Sequence, residues 1–203
     1  MDLFGFQKPD QDVNNEVISS VEGLELYPEF ITPQQEVELI NHIDSEMWLE
    51  DLSRKVQHYG FKYDYRARRI NADFKIGPLP EWSIELINRI KEKGIVDYEL
   101  DQLIINNYEP GEGISMHIDC EPCFEDTILS LSLGSDIEMD LRRVNTSEKT
   151  SILLQRRSLL VLSKDARYKY EHGIVQRKSD NFNNQKRIRK RRISLTFRKV
   201  IIS

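Results

Sequence analysis

Long apolar runs are missing from this chain: none approaches the roughly eighteen residues that a membrane-spanning helix needs, so no membrane association is expected. Its opening stretch, MDLFGFQKPDQDVNNEV, lacks the basic then apolar order of a secretory signal, and a cytoplasmic or nuclear location is expected. Cysteine is scarce. The two that occur, Cys120 and Cys123, stand three apart and cannot staple a distant loop, which argues against an oxidised secreted scaffold. There is no internal repeat. Apolar residues make up 39% of the chain and charged residues 31%, a balance that fits a water-exposed domain of modest burial with a polar working surface.

A length of 203 residues suits one hydrophobic core, so a single domain is expected. The net charge of -5 hides an asymmetry: residues 166–203 carry twelve Lys/Arg against Glu171 and Asp180, while the first 165 carry 17 against 32 Asp/Glu. Such a division implies different partners for the two ends. The run RKSDNFNNQKRIRKRR at 177–192 reads either as a solvated basic loop or nuclear-import signal, or as a patch for nucleic-acid phosphates. Residues 1–22 read as a polar, loosely attached lead-in, with the domain proper spanning 23–203.

Two helices are predicted. In FITPQQEVELINHID, Thr32 is placed as N-cap, Pro33 at the first helical position and Gln35 to complete a capping box, with Leu39, Ile40 and Ile43 forming the apolar stripe. In EWSIELINRIKEKG, either Trp82, Leu86 and Ile90 or Ile84, Ile87 and Lys91 share a face, and Gly94 stands where a C-terminal cap belongs. Beyond these come short alternating or apolar runs divided by turns: LDQLIINNYEP, TILSLSLGS, IEMDLRR, SILLQRRSLLVLS and RISLTFRKVII. Short strands in series after two helices predict a mainly β fold with flanking helices, a jelly-roll or barrel. Between the helices, SRKVQHYGFKYDYRARRI interleaves aromatics with bases. Its alternation predicts a hairpin with odd-numbered aromatics on a core face; its composition equally suits a lid over 53–75, in which Tyr59, Phe61 and Tyr63 contact a substrate base.

His117 and Asp119 are separated by one residue, so on a strand they point to the same side. His172, in YEHGI, can sit at the end of a neighbouring strand. Two His and one Asp on a β-scaffold, leaving three coordination positions open, is the facial arrangement of non-haem Fe(II) oxygenases. A buried His paired to an Asp gives the same spacing without a metal. Cys120 and Cys123 could supply half of a zinc site or a redox pair, but the turn and strand signals after them favour incidental thiols in a loop near the site.

NNYEPGEGISMHID, ILSLSLG, RRSLLVLSKDARYKYEHGI and RISLTFR, in that order, resemble the AlkB family of Fe(II)- and 2-oxoglutarate-dependent dioxygenases over roughly residues 23–203. The resemblance implies a double-stranded β-helix core, Fe(II) on His117, Asp119 and His172, and O₂ as co-reactant. It places the distal carboxylate of 2-oxoglutarate on Arg192, Asn106 and Tyr108, and the carboxylate beside the keto group on Arg198. Ser194 stands where the bacterial DNA-repair member has Asn. QHYGFKYDY and FEDTILSLSLGSDIEMDL point to the branch that hydroxylates a modified wobble uridine of tRNA, so tRNA is the expected partner, with a partner protein supplying RNA binding or methyltransferase activity. An N-demethylase of alkylated DNA or RNA is the alternative, toward which Glu121 points, since it stands where the repair enzyme reads its base. A metal-free RNA-binding module is the third reading.

Overall fold

The computed structural model describes residues 8–50, 54–64, 67 and 69–202. Tyr65, Arg66 and Arg68 of the aromatic and basic segment lie outside the described residues, as do residues 1–7 and 51–53. Helices are α1 (Asp10–Ser20), α2 (Pro33–Ser45), α3 (Ile84–Glu92) and α4 (Lys164–Tyr168). Strands are β1 (Leu24–Tyr27), β2 (Lys55–Tyr59), β3 (Gln102–Tyr108), β4 (Ile114–His117), β5 (Ile128–Leu133) and β6 (Ile137–Arg143). They continue with β7 (Lys149–Leu154), β8 (Leu159–Leu162), β9 (Tyr170–Ile174), β10 (Ser179–Phe182), β11 (Gln185–Ile188) and β12 (Arg192–Arg198).

Every strand pairing among the described residues is antiparallel. A six-stranded sheet runs β1-β8-β5-β12-β3-β2, a four-stranded sheet runs β4-β9-β6-β7, and β10 with β11 forms a separate hairpin. The expected jelly-roll is thus present. Period-2 alternation divides the larger sheet between two environments. Leu103 and Ile105 of β3, Leu129, Leu131 and Leu133 of β5, and Ile193, Leu195 and Phe197 of β12 join one core with Leu39 and Ile43 of α2 and Leu86, Ile87 and Ile90 of α3. The intervening Ile104, Asn106, Tyr108, Ser130, Arg192, Ser194, Thr196 and Arg198 point the other way, into a cavity between the sheets. Each full burial of a Leu, Ile or Phe contributes about 1.5–3 kcal/mol, so the helix-covered face stabilises the sheet while the opposite face carries the polar and charged groups of the cavity among apolar ones.

The helix signals hold. Gln35 N–H donates to the Thr32 hydroxyl at 3.2 Å and the Gln35 side chain accepts from Thr32 N–H at 3.0 Å, closing the capping box. In α3 the Leu86 and Ile90 face is the buried one, with Ile87, while Ile84 is exposed. Gly94 ends the helix at φ +68, a left-handed conformation that a Cβ would strain, and donates to the Lys91 carbonyl.

Three expectations need correction. The lead-in is not loose over residues 10–20: it forms α1, and buried Asn14 donates to the Leu153 carbonyl and accepts from the Leu153 N–H, both at 2.9 Å, closing the edge of β7. The basic stretch 177–192 is not a loop either. It folds as the β10–β11 hairpin around Asp180, which accepts from Arg177 and from buried Arg189 at 2.6–2.8 Å. Cys120 and Cys123 are not free thiols but a buried disulfide.

Candidate active site

Backbone register builds the metal-ligand set. His117 on β4 lies directly opposite His172 on β9, and cross-strand partners project to the same face, so the two rings meet with centroids 4.4 Å apart. Gly173 lets the strands approach this closely, because a Cβ there would meet Met116 Sδ at 2.7 Å and the Ile114 carbonyl at 3.0 Å. Asp119 lies two residues beyond the end of the strand, and its Oδ2 is 3.6 Å from His172 Nε2. One ligand atom from each of His117, Asp119 and His172 falls within 4.8 Å of the others.

The electrostatics favour a bound cation. Burial alone would raise the Asp119 carboxyl, but Arg198, then His172 and His117, outweigh it and hold the group well below the usual carboxylate range. Burial, followed by repulsion from His117, pushes His172 down to about 4, so its ring is neutral and ready to ligate at pH 7. His117 Nδ1 lies 2.8 Å from the Ser115 carbonyl. Only N–H can satisfy a carbonyl, so the Nε2 lone pair is left for a metal.

Arg167, buried in α4, donates to the Asp119 carbonyl at 2.9 Å and the Cys120 carbonyl at 3.1 Å. Four residues separate it from His172. It therefore ties the segment bearing one ligand to the loop bearing another.

Beside these groups β12 presents Arg192, Ser194, Thr196 and Arg198 to a cavity of about 540 Å³, in the range of small-molecule sites. Arg192 is buried yet has no carboxylate partner among the described residues. Its Nη2 donates to Ser132 Oγ at 2.8 Å, its guanidinium lies over the Tyr108 ring at 5.5 Å, and its Nε has no partner. Burial pushes it down to about 10. A buried guanidinium without a counter-ion is costly, so this pocket fits an anionic ligand. Arg198 donates to Asp119 Oδ1 at 2.7 Å and keeps its own Nε unpartnered. Asn106 Oδ1 accepts from Arg54 Nε at 2.8 Å, which turns its NH₂ group toward other acceptors. The donor set thus fits both a divalent metal and a dicarboxylate.

The chain matches the 2OG-Fe(II) oxygenase superfamily over residues 23–198. It belongs to that superfamily. The dioxygenase therefore uses Fe(II), 2-oxoglutarate and O₂, and the metal-free reading falls. Its AlkB-like motifs agree with its relatives. The dioxygenase is 39% identical to the tRNA (carboxymethyluridine(34)-5-O)-methyltransferase alkbh8 of Xenopus tropicalis, over 78% of this chain and 26% of that protein. It is 35% identical to the alkylated DNA repair protein ALKBH8 homolog of Arabidopsis thaliana, over 89% of this chain and 59% of that one. An uncharacterized protein of Acanthamoeba polyphaga mimivirus is 34% identical, over 90% and 87%. The chain thus spans about a quarter of the Xenopus relative's length. The solved structure of OsALKBH1 shares the fold, with TM-score 0.67 at 17% identity over 87% of this chain and 98% of that one.

Of the expected site residues, the structure gathers His117, Asp119, His172, Asn106, Tyr108, Arg192, Ser194, Arg198 and Tyr63 around one cavity. Tyr59, Phe61 and Glu121 lie outside its lining. Gly60, at φ +76, breaks the strand, so the odd-numbered aromatics do not share a face. Tyr59 packs edge-on against Trp82, with centroids 6.2 Å apart, Phe61 is buried in the second core, and Tyr63 alone of the three reaches the cavity, beside Phe124. Glu121 sits exposed on a 3-10 turn. Sequence reasoning missed Arg54, Ser130, Ser132 and Arg167. The serines had a signal: in ILSLSL they are the polar alternates of an otherwise apolar strand. The Ser194 hydroxyl is not idle, for it lies 2.9 Å from that of Ser130.

Proposed function

We propose that this dioxygenase oxidises a modified nucleobase in nucleic acid, hydroxylating the side chain of a tRNA wobble uridine. The observation that carries the reading is the 39% identity, over 78% of the chain, to a relative named for the uridine at position 34 of tRNA. Bound Fe(II) and 2-oxoglutarate supply activation of O₂ and oxidation of a C–H bond. His117, Asp119 and His172 would hold the metal, each through one ligand atom. Arg192, with Asn106 and Tyr108, receives the distal carboxylate of 2-oxoglutarate, and Arg198 the carboxylate beside its keto group. Ile104, Ile128, Met139, Leu154, Leu160 and Leu162 wall the cavity with apolar surface that excludes water from the reacting centre. Tyr63, backed by Phe124 at 5.7 Å between ring centroids, offers the aromatic face on which an unstacked base rests.

The test is incubation with Fe(II), ascorbate, 2-oxoglutarate and total tRNA, followed by nucleoside mass spectrometry, with His117→Ala as blank. Gain of one oxygen on a wobble uridine derivative is the expected result. Loss of a methyl group with release of formaldehyde would replace this reading with the N-demethylase; no change in any nucleoside would remove tRNA as substrate.

A further inference from the structure

The basic stretch 177–192 holds eight Lys/Arg, and the fold separates them by residue type. All five arginines are engaged internally: Arg177 on Glu138 and Asp180, Arg187 on Asp10, Arg189 on Asp180, Arg191 on Asp44, and Arg192 in the cavity. Guanidinium forks suit such fixed pairing with carboxylates. Lys178, Lys186 and Lys190 are exposed and have no acidic partner within ion-pair distance among the described residues. Their charge is available to a ligand.

Register decides where that charge points. Asp180 pairs with Arg187 and Phe182 with Gln185, so residues 180, 182, 187 and 189 share the inward face of the hairpin, where Asp180, Phe182 and Arg189 are buried. On the outward face, Lys186 and Ile188 alternate along β11 and Lys190 continues the spacing, opposite Ser179 and Asn181. Ile188 is 67% exposed, an apolar side chain between two lysines. Lys178 leaves the inward face at the hairpin's root, its stem 3.8 Å from where a Cβ would stand on Gly111. Gly113 and Gln176 nearby line the cavity. The lysines therefore run from the rim of the cavity outward along a single hairpin. Glu109 and Glu112, on the same turn as Gly111, are turned onto Asn107 Nδ2 and the Glu109 N–H at 3.1 and 2.8 Å.

We infer that Lys178 at the root of the β10–β11 hairpin, together with Lys186, Ile188 and Lys190 on its outward face, forms the docking surface for the RNA strand whose base enters the cavity. This rests on the reading of the substrate as RNA. Charge complementarity carries it: three unpaired ammonium groups match a phosphate backbone, and Ile188 between them offers apolar contact to a base or sugar. The rest of the protein is acidic, so steering must come from such a local patch.

Total tRNA binding is measured across a salt series for the wild type, for a variant combining Lys178→Gln, Lys186→Gln and Lys190→Gln, and for Ile188→Ala. The lysine variant should lower the slope of log affinity against log salt by about 2 to 3, roughly one phosphate contact per lysine. Ile188→Ala should weaken binding several-fold with the slope unchanged. Iron-dependent turnover of 2-oxoglutarate without RNA should be the same in all three. An unchanged slope in the lysine variant would overturn the inference even if the wild type oxidises tRNA. A lowered slope in a protein that oxidises no tRNA nucleoside would support the surface while the substrate reading fails. Lysine-dependent binding to phosphatidylserine vesicles with no binding of tRNA would also overturn it, in favour of a membrane surface.

Discussion

At the scale of single residues, the site is governed by charges left without ordinary partners. Arg192 is buried over Tyr108 and, among the described residues, bonds a serine hydroxyl and no carboxylate, so a ligand carboxylate would supply its counter-charge. Arg192→Met should raise the KM for 2-oxoglutarate on the order of 100-fold while leaving metal affinity intact, as truncating a buried charged partner costs about 2–5 kcal/mol; succinate release against 2-oxoglutarate concentration checks this. Arg167 acts at one remove, through the Asp119 and Cys120 carbonyls. Arg167→Ala should weaken Fe(II) binding by about 10–100-fold, the usual scale for groups that orient a ligand, and Arg167→Lys should recover part of it. Metal titration of the 2-oxoglutarate-free protein reads the effect, and an unchanged affinity in both variants would reduce Arg167 to a packing residue. The H-x-D spacing was legible because two residues on a strand must share a side. The pairing of His117 with His172 was not, because strand register is set by contacts across 55 positions of chain.

Among elements, the elements themselves were more legible than their docking. The capping box of α2 and the alternation of β3, β5 and β12 are local and came through, whereas no local signal sets Glu36 of α2 apart from an ordinary surface carboxylate. It is buried instead, accepting from Arg156, Arg157 and the Gly134 N–H, and so locks α2 to the turns after β5 and β7. Burial alone would raise its pKa, yet Arg156 and the backbone donor outweigh it and hold the group below its ordinary value of 4.5. A depressed carboxylate contributes stability that is present above the unfolded value and lost as pH falls through the folded one. Glu36→Gln should therefore cost about 1–2 kcal/mol at pH 7, discounted because Arg156 is half exposed, and flatten the loss of stability below pH 4.5; urea melts across that range check both. Asn14→Ala should cost about 2 kcal/mol in the same assay by orphaning the Leu153 N–H and carbonyl at the edge of the smaller sheet.

For the whole molecule, ligands that bind only the folded state stabilise it by mass action. Fe(II) with 2-oxoglutarate, each at about 100 times its Kd, should raise the melting temperature by roughly 10–20 °C, and His172→Ala should abolish most of that shift. At this scale the charge pattern also takes its meaning. Acidic first part and basic end had suggested separate partners, yet Arg177, Arg187, Arg191, Arg198 and Lys199 find Glu138, Asp10, Asp44, Asp119 and Asp101. The two ends largely meet each other, and among residues 166–202 Lys178, Lys186 and Lys190 remain to face outward. What the sequence by itself determined was whatever repeats within a few residues: the two-residue period of the strands, the helix caps, and the placing of His117 beside Asp119. Tertiary structure alone decided which aromatic reaches the cavity, which arginine lacks an acid and which basic residues stay free, because those outcomes depend on groups brought together from distant parts of the chain.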